Sequence, residues 1–160
     1  MEVVENFLDD KVFHDVKETM MSDVFPWYYN KGIINEHDTT SFMFTHTFFK
    51  DSKINSGFFD EIILPICGVL NFKTLQRAKA NCYVKNTKKI IHKFHVDYEE
   101  PHTVALFSIN SNNGYTEFKG NKKIFSKENR MVIFSGNTYH RSVSQTDENL
   151  RVNINFNLIN

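Results

Sequence analysis

Residues 77–84 read Arg-Ala-Lys-Ala-Asn-Cys-Tyr-Val, so that a polar or aromatic side chain is followed each time by a small apolar one. A period of two is typical of a β-strand, whose successive side chains point to opposite faces. One predicted face carries Arg77, Lys79, Asn81 and Tyr83, and the other carries Ala78, Ala80, Cys82 and Val84. This stretch opens a region in which almost every segment predicts β-structure.

Short strand-like runs continue from residue 76 to the end of the chain. Turns rich in Asn, Gly and Ser separate them, as at residues 110–114 and 135–137. The further predicted strands cover residues 90–96, 103–110, 115–118, 123–125, 130–134, 142–145 and 150–158. We therefore expect a mainly β fold with supporting helices, whose core over residues 76–158 is a double-stranded β-helix, or jelly roll.

The region before this core predicts helices packed on it. Apolar residues recur on one face of residues 10–22, with Asp9 or Asp10 able to cap the first turn. A second helix is expected over residues 57–70, with Pro65 bending it or marking its start.

Between these helices, residues 42–49 alternate as a strand, and we interpret His46 as a structural strand residue. Residues 1–75 thus form a predicted helical support region. Because no Pro-, Gly- or Ser-rich linker divides the chain, we expect its 160 residues to form a single domain.

The formal net charge is +0, which gives no general attraction to nucleic acid or to an anionic membrane. The charges are unevenly spread, however. Residues 1–61 carry 12 acidic and 5 basic side chains, whereas residues 62–160 carry 7 acidic and 14 basic ones. No acid occurs in residues 72–96. This stretch is either a solvated basic face paired with the acidic N-terminal part or a site that receives an anion.

Nothing in the sequence predicts a membrane span or an export signal. No apolar run approaches the ~20 residues that cross a bilayer, and residues 1–5 lack the basic start of a signal peptide. The two cysteines, Cys67 and Cys82, fit reduced thiols better than a disulfide. We therefore expect a cytoplasmic protein without a membrane partner.

A candidate metal site lies in the β region. In a strand, His95 and Asp97 project to the same side, and His140 follows a turn on a later strand. Two histidines and one carboxylate on one face form the facial triad of non-haem Fe(II) oxygenases. His92 and His102 lie close by, so a site of three histidines is an alternative. Opposite strand parity of His92 and His95 favours the set that contains Asp97.

Arg151 adds an anion holder to this pattern. It follows His140 by eleven residues, so a turn and a paired strand bring its guanidinium into the same cavity, where it can bind a carboxylate with two hydrogen bonds. Asn153 and Asn155 share the strand parity of Arg151, and we interpret both as structural residues.

His95, Asp97, His140 and Arg151 together resemble the H-x-D…H…R signature of Fe(II)/2-oxoglutarate-dependent oxygenases. The resemblance is greatest to prolyl-4-hydroxylase-like members, particularly the small forms of bacteriophages and marine microbes. Residues 113–118, Asn-Gly-Tyr-Thr-Glu-Phe, resemble that group's G-G-x-T-x-F segment, with Asn113 in place of the first glycine. Residues 81–83, Asn-Cys-Tyr, resemble the strand whose tyrosine contacts 2-oxoglutarate.

The resemblance implies a set of roles. His95, Asp97 and His140 would bind Fe(II) as the catalytic centre. Arg151 would pair with the distal carboxylate of the co-substrate 2-oxoglutarate, assisted by the Thr116 hydroxyl and the Tyr83 phenol. O2 would be the oxidant, with ascorbate as an accessory reductant.

The implied reaction hydroxylates an unactivated C–H bond and releases succinate and CO2. The implied substrate is a prolyl or other residue of a peptide or protein, and the implied location is the cytoplasm, or the host cytosol for a phage-encoded form. Two alternatives stay open: an oxygenase acting on a small molecule or a nucleic-acid base, of which the base is disfavoured by the zero net charge, and a non-catalytic jelly-roll module that binds a metal.

Overall fold

Antiparallel β-strands dominate the computed structural model, which describes residues 1–32 and 42–160. The strands are β1 (Glu2–Val4), β2 (Tyr28–Asn30), β3 (Met43–Lys50), β4 (Lys53–Ile54), β5 (Thr74–Val84), β6 (Thr103–Ser108), β7 (Tyr115–Phe118), β8 (Lys122–Phe125), β9 (Arg130–Ser135), β10 (His140–Val143) and β11 (Leu150–Ile159). The helices are α1 (Asp10–Met21) and α2 (Leu64–Cys67), the latter preceded by a π-helical turn at Phe59–Ile63. The prediction of a mainly β chain with few helices is confirmed.

The strands form two sheets. The larger has the order β1-β9-β6-β11-β5-β3-β2, with β4 also paired to β3, and the smaller has the order β10-β7-β8. Neighbours in both sheets run antiparallel, as hairpins and longer loops permit. The strand pair of β5 and β11 lies in the middle of the larger sheet and is its longest pairing, from Thr74 opposite Ile159 to Val84 opposite Leu150.

The alternation predicted for β5 is confirmed, and β11 alternates in the same way. On one side of both strands the side chains are apolar and pack in the core: Ala78, Ala80, Cys82, Val152, Ile154 and Phe156. On the other side they are polar and line a cavity: Arg77, Lys79, Asn81, Tyr83, Arg151, Asn153 and Asn155. The central strand pair therefore separates the hydrophobic core from the polar cavity.

Helix α1 covers the apolar side of the larger sheet. Asp9 caps it by accepting a hydrogen bond from the backbone N–H of Lys11 at 3.0 Å. Its buried residues are Phe13, Val16 and Met20, and the Phe13 ring meets Phe107 of β6 edge-on. The helix ends at Met21, one residue before the predicted end.

The second predicted helix is much shorter than residues 57–70. Only a π-helical turn and then four α-helical residues form, and Pro65 stands in the first turn of α2, where its missing N–H is tolerated. Just before the segment, the Ser56 hydroxyl accepts from the N–H of Phe58 at 3.1 Å, but no side chain of the described residues caps the segment itself. Ile62, Ile63 and Ile66 are fully buried, so the segment is held by packing.

Residues 1–75 supply strands as well as helical support. β1 pairs with β9, and β3 pairs with β5. His46 on β3 is buried and its ring bonds the Pro26 carbonyl and the Ser56 hydroxyl, so it has the structural role expected of it.

Residues 90–96 are not a strand, contrary to the prediction. Among the residues that the structure describes, only two isolated bridges form there, Ile91 with Val143 and His95 with His140. Lys residues and exposed apolar side chains in this segment give it no consistent inner face, so it crosses the cavity edge as an irregular segment. Among the described residues, no helix has the length and apolar character to span a membrane.

Candidate active site

Three potential metal-ligating side chains meet at the cavity. The ligand atoms of His95, Asp97 and His140 all lie within 4.8 Å of one another. Asp97 Oδ1 is 3.7 Å from His95 Nε2 and 3.9 Å from His140 Nε2. Two imidazole nitrogens and one carboxylate oxygen thus face a common point.

The two histidines are held together by the backbone. His95 and His140 exchange both backbone hydrogen bonds, at 2.9 and 3.0 Å, although only His140 lies in a strand. His95 and Asp97 were predicted to lie on one face of a strand. The structure brings them together through this single bridge and the bend that follows it.

The outward ring nitrogen of each histidine is occupied. His140 Nδ1 lies 3.0 Å from the Thr138 carbonyl, and His95 Nδ1 lies 3.4 Å from the Lys93 carbonyl. Because a carbonyl oxygen only accepts, these contacts place the proton on Nδ1 and leave the Nε2 lone pair toward Asp97. Burial, and then the neighbouring His140, lower the pKa of His95, which favours the neutral imidazole that a metal requires.

Asp97 uses its two oxygens differently. Its Oδ2 accepts from Asn155 Nδ2 at 2.8 Å and from Asn157 Nδ2 at 2.9 Å, and Arg77 lies 3.3 Å away. Burial acts to raise the pKa of Asp97, but Arg77 and the amides outweigh it and bring the pKa to about 2. The carboxylate is therefore ionised, with Oδ1 left to face the histidines.

Arg151 lies in the same cavity and is almost completely buried. Its guanidinium donates to Ser126 Oγ at 2.7 Å, Ser142 Oγ at 2.6 Å and Thr116 Oγ1 at 3.4 Å. It also lies over the Tyr83 ring, 5.1 Å from the centroid. No acidic side chain of the described residues pairs with it. A buried cation with only neutral partners is suited to receive an anion.

Each predicted site residue therefore borders this cavity of about 170 Å³: Tyr83, His95, Asp97, Thr116, His140 and Arg151. Their roles as ligands stay predictions. Neither His92 nor His102 joins the cluster, and within residues 1–32 and 42–160 no other group of three such side chains comes together. His102 instead bonds the Glu100 carbonyl through Nδ1 at 2.8 Å.

Three residues that hold the carboxylate of Asp97 were not predicted from the sequence. Asn155 was interpreted as structural, yet its amide donates to Asp97. Asn157 and Arg77 were given no role, although both share strand parity with a predicted site residue. The Asn-x-Asn-x-Asn alternation after Arg151 was the available signal, because buried amides on one strand face require partners.

The chain was compared with known proteins. No family model and no curated protein matches it. Solved structures do match. A viral collagen prolyl hydroxylase from Paramecium bursaria Chlorella virus-1, in complex with 2-oxoglutarate, is 13% identical with a TM-score of 0.62, over 98% of this chain and 93% of that one.

Two further matches are cellular. A Pseudomonas putida prolyl-4-hydroxylase is 9% identical with a TM-score of 0.65, over 99% of this chain and 92% of that one. A Trichoplax adhaerens prolyl hydroxylase, in complex with a peptide fragment of the hypoxia inducible factor oxygen degradation domain, is 13% identical with a TM-score of 0.65, over 99% and 82%. The jelly-roll fold of such oxygenases, predicted from the sequence, is confirmed.

Proposed function

We propose that this chain is an Fe(II)- and 2-oxoglutarate-dependent dioxygenase that hydroxylates an unactivated C–H bond and releases succinate and CO2. The observation that carries the proposal is the meeting, in one cavity, of the His95–Asp97–His140 cluster with the buried, acid-free guanidinium of Arg151. The shared fold of prolyl hydroxylases supports it. We propose further that residues 1–160 act as a single cytoplasmic oxygenase domain.

The residues present fit an Fe(II) ion. Both Nδ1 atoms and Asp97 Oδ2 already have hydrogen-bond partners, so one nitrogen of each histidine and one carboxylate oxygen are free to bind metal. This donor set suits ferrous iron and leaves coordination positions open. When bound, the iron would supply the O2-dependent oxidation chemistry that protein side chains lack.

The co-substrate would be held by the other end of the cavity. Arg151 would pair with the distal carboxylate of 2-oxoglutarate, beside the Thr116 hydroxyl and the Tyr83 ring. Ser126 and Ser142 fix the guanidinium by accepting from Nε and one terminal nitrogen. Because Arg151 is buried, this ion pair would be shielded from water and correspondingly strong.

The main substrate in this proposal is a prolyl or other residue of a peptide or protein. The support is the Trichoplax adhaerens neighbour, which was solved with a peptide fragment. His95 is partly exposed, so the candidate metal position borders the cavity opening, where a C–H bond of a larger molecule can approach.

The test is binding followed by turnover. Purified protein is expected to bind Mn(II) and then 2-oxoglutarate in anaerobic calorimetry, and the Fe(II) form is expected to yield succinate in the presence of O2. Asp97→Ala should abolish metal binding and succinate formation. Arg151→Met should retain the metal but lose 2-oxoglutarate. A metal-loaded wild-type protein that does not bind 2-oxoglutarate would show the proposal to be wrong.

A further inference from the structure

Lys79 is a cation in the cavity that the proposed reaction does not use. It lies on β5 beside Arg77 and Asn81 and opposite Asn155 in the β11 register. The side chain is half-buried, and no hydrogen bond or ion pair joins its Nζ to any described residue, although a Lys taken out of water usually has a partner. Burial, and then repulsion by Arg77, lower its pKa to about 8.

The side chains that line the cavity carry an excess of positive charge. Its lining carries three cations, Arg77, Lys79 and Arg151, against one carboxylate, Asp97. Fe(II) and the 2-oxoglutarate dianion carry equal and opposite charges, so loading both leaves this excess of positive charge unchanged. An uncompensated buried charge is unfavourable until an anion arrives.

The other two cations already have assignments. Arg77 lies 3.3 Å from Asp97 Oδ2, and Arg151 is the proposed partner of the co-substrate. Lys79 forms no ion pair with any acid of the described residues; Asp97 attracts it only at longer range, and Arg77 and Lys50 oppose that attraction. The excess charge is therefore localised at Lys79.

We propose that the molecule to be oxidised carries a carboxylate that Lys79 binds in the cavity. This inference rests on the proposed function and narrows its substrate class to acids. The carboxylate belongs either to a free acid, such as an amino acid, or to an acidic residue beside the oxidised residue of a peptide. Both sources present the same group to the same ammonium.

The experiment compares matched pairs of probes that differ by one carboxylate. Protein loaded with Mn(II) and 2-oxoglutarate without O2 is titrated with acetate against acetamide, with L-proline against L-prolinamide, and with a capped Pro-Asp peptide against the Pro-Asn peptide. We expect the acid of at least one pair to bind about tenfold more tightly than its amide. A preference in the second pair alone identifies a free acid, and one in the third alone identifies a peptide.

Variants tie this preference to the residue. Lys79→Met removes the charge at similar volume and should erase the preference, whereas Lys79→Arg should keep it. Lys53→Met removes an exposed lysine of β4 and should change nothing.

The outcomes separate the two proposals. Failure to bind Mn(II) or 2-oxoglutarate contradicts the proposed function itself. Three outcomes overturn this inference alone, provided that Mn(II) and 2-oxoglutarate bind normally. The acid and the amide of every pair bind with equal affinity, or neither binds at millimolar concentrations. Alternatively, Lys79→Met still prefers the acid.

Discussion

At the residue scale, the most informative detail is that the two oxygens of Asp97 have different contacts. Two amides and a guanidinium converge on Oδ2, which fixes the rotation of the carboxylate and leaves Oδ1 toward the histidines. Partners of this kind orient a metal ligand and tune its affinity. Asn155 and Asn157 therefore belong to the candidate site although neither faces the metal position with a ligand atom.

Removal of these amides should weaken metal binding. The double variant Asn155→Ala/Asn157→Ala is expected to lower the affinity for Mn(II) by about 10- to 100-fold, because the carboxylate loses two of the contacts that hold it. Isothermal titration measures this directly. Asn153→Ala is the matched control, since Asn153 bonds Asn81 instead of Asp97. Equal affinity of the double variant and the control would contradict the prediction.

Lys79 should impose a pH dependence on stability. Its pKa falls from 10.5 in the unfolded chain to about 8 in the fold, so the unfolded state binds more protons between these values and stability rises with pH there. Lys79→Met should raise the free energy of unfolding of the metal-free protein by up to about 3 kcal/mol at pH 7.

This gain should shrink as the pH rises from 8 toward 10.5. Urea unfolding of both proteins across that range measures it, with Lys53→Met as the reference. A gain that does not change with pH would mean that Lys79 titrates normally in the fold.

At the scale of elements, some strands could be predicted from the sequence and one predicted strand is absent, for different physical reasons. β5 and β11 were predictable because one side of each faces the core and the other faces the cavity, which yields a strict period of two. The composition of residues 90–96 predicted a strand, yet within the described part of the chain they pair with other segments through two bridges only. Local propensity does not report whether a partner strand is within reach.

The basic stretch at residues 72–96 shows how both sequence interpretations can hold for different residues. Arg77 and Lys79 point into the cavity. The other cations are exposed: Lys73, Lys85, Lys88, Lys89 and Lys93. The first group lies within β5, on its cavity side, whereas the solvated second group lies outside that strand. Net charge alone carries no such positional information.

The turn into β7 should be intolerant of a side chain at Gly114. A Cβ there would come 2.8 Å from Arg151 Cδ and 3.1 Å from the Val143 carbonyl, so the guanidinium would have to move. Gly114→Ala is expected to lower 2-oxoglutarate affinity at least about tenfold while Mn(II) binding stays within about twofold. Calorimetry of both ligands measures this. Gly57→Ala, with open space at its Cβ, is the control; parallel losses of metal and co-substrate would indicate general unfolding instead.

At the scale of the whole molecule, the N-terminal region is part of the same sheet as the site. β3 covers one edge of β5, and Phe48, Ile62 and Ile66 are completely buried in the core cluster that includes β5 and β11. Ion pairs also join the acidic N-terminal part to the basic part, as between Glu5 and Arg130 at 2.7 Å. Such exposed pairs contribute little, so apolar packing is the main connection.

A fragment of residues 76–160 should therefore not fold alone. It would expose the apolar side of β5 and β11 and make β5 an edge strand, paired only with β11. We expect this fragment to lack the cooperative thermal transition of the full chain in circular dichroism. A soluble fragment that unfolds cooperatively near the melting temperature of the full chain would show that residues 1–75 form a separate unit.

The backbone bridge between His95 and His140 has a consequence for how this protein can diversify. Both imidazoles are attached to one short stretch of paired main chain, and a second bridge, Ile91 with Val143, secures its far end. The connection that leads from β5 to Ile91 can therefore be replaced by one of another length or composition without displacing either ring. Selection, or an engineer grafting loops, can thus vary what the opening admits while the two imidazoles keep their relative positions.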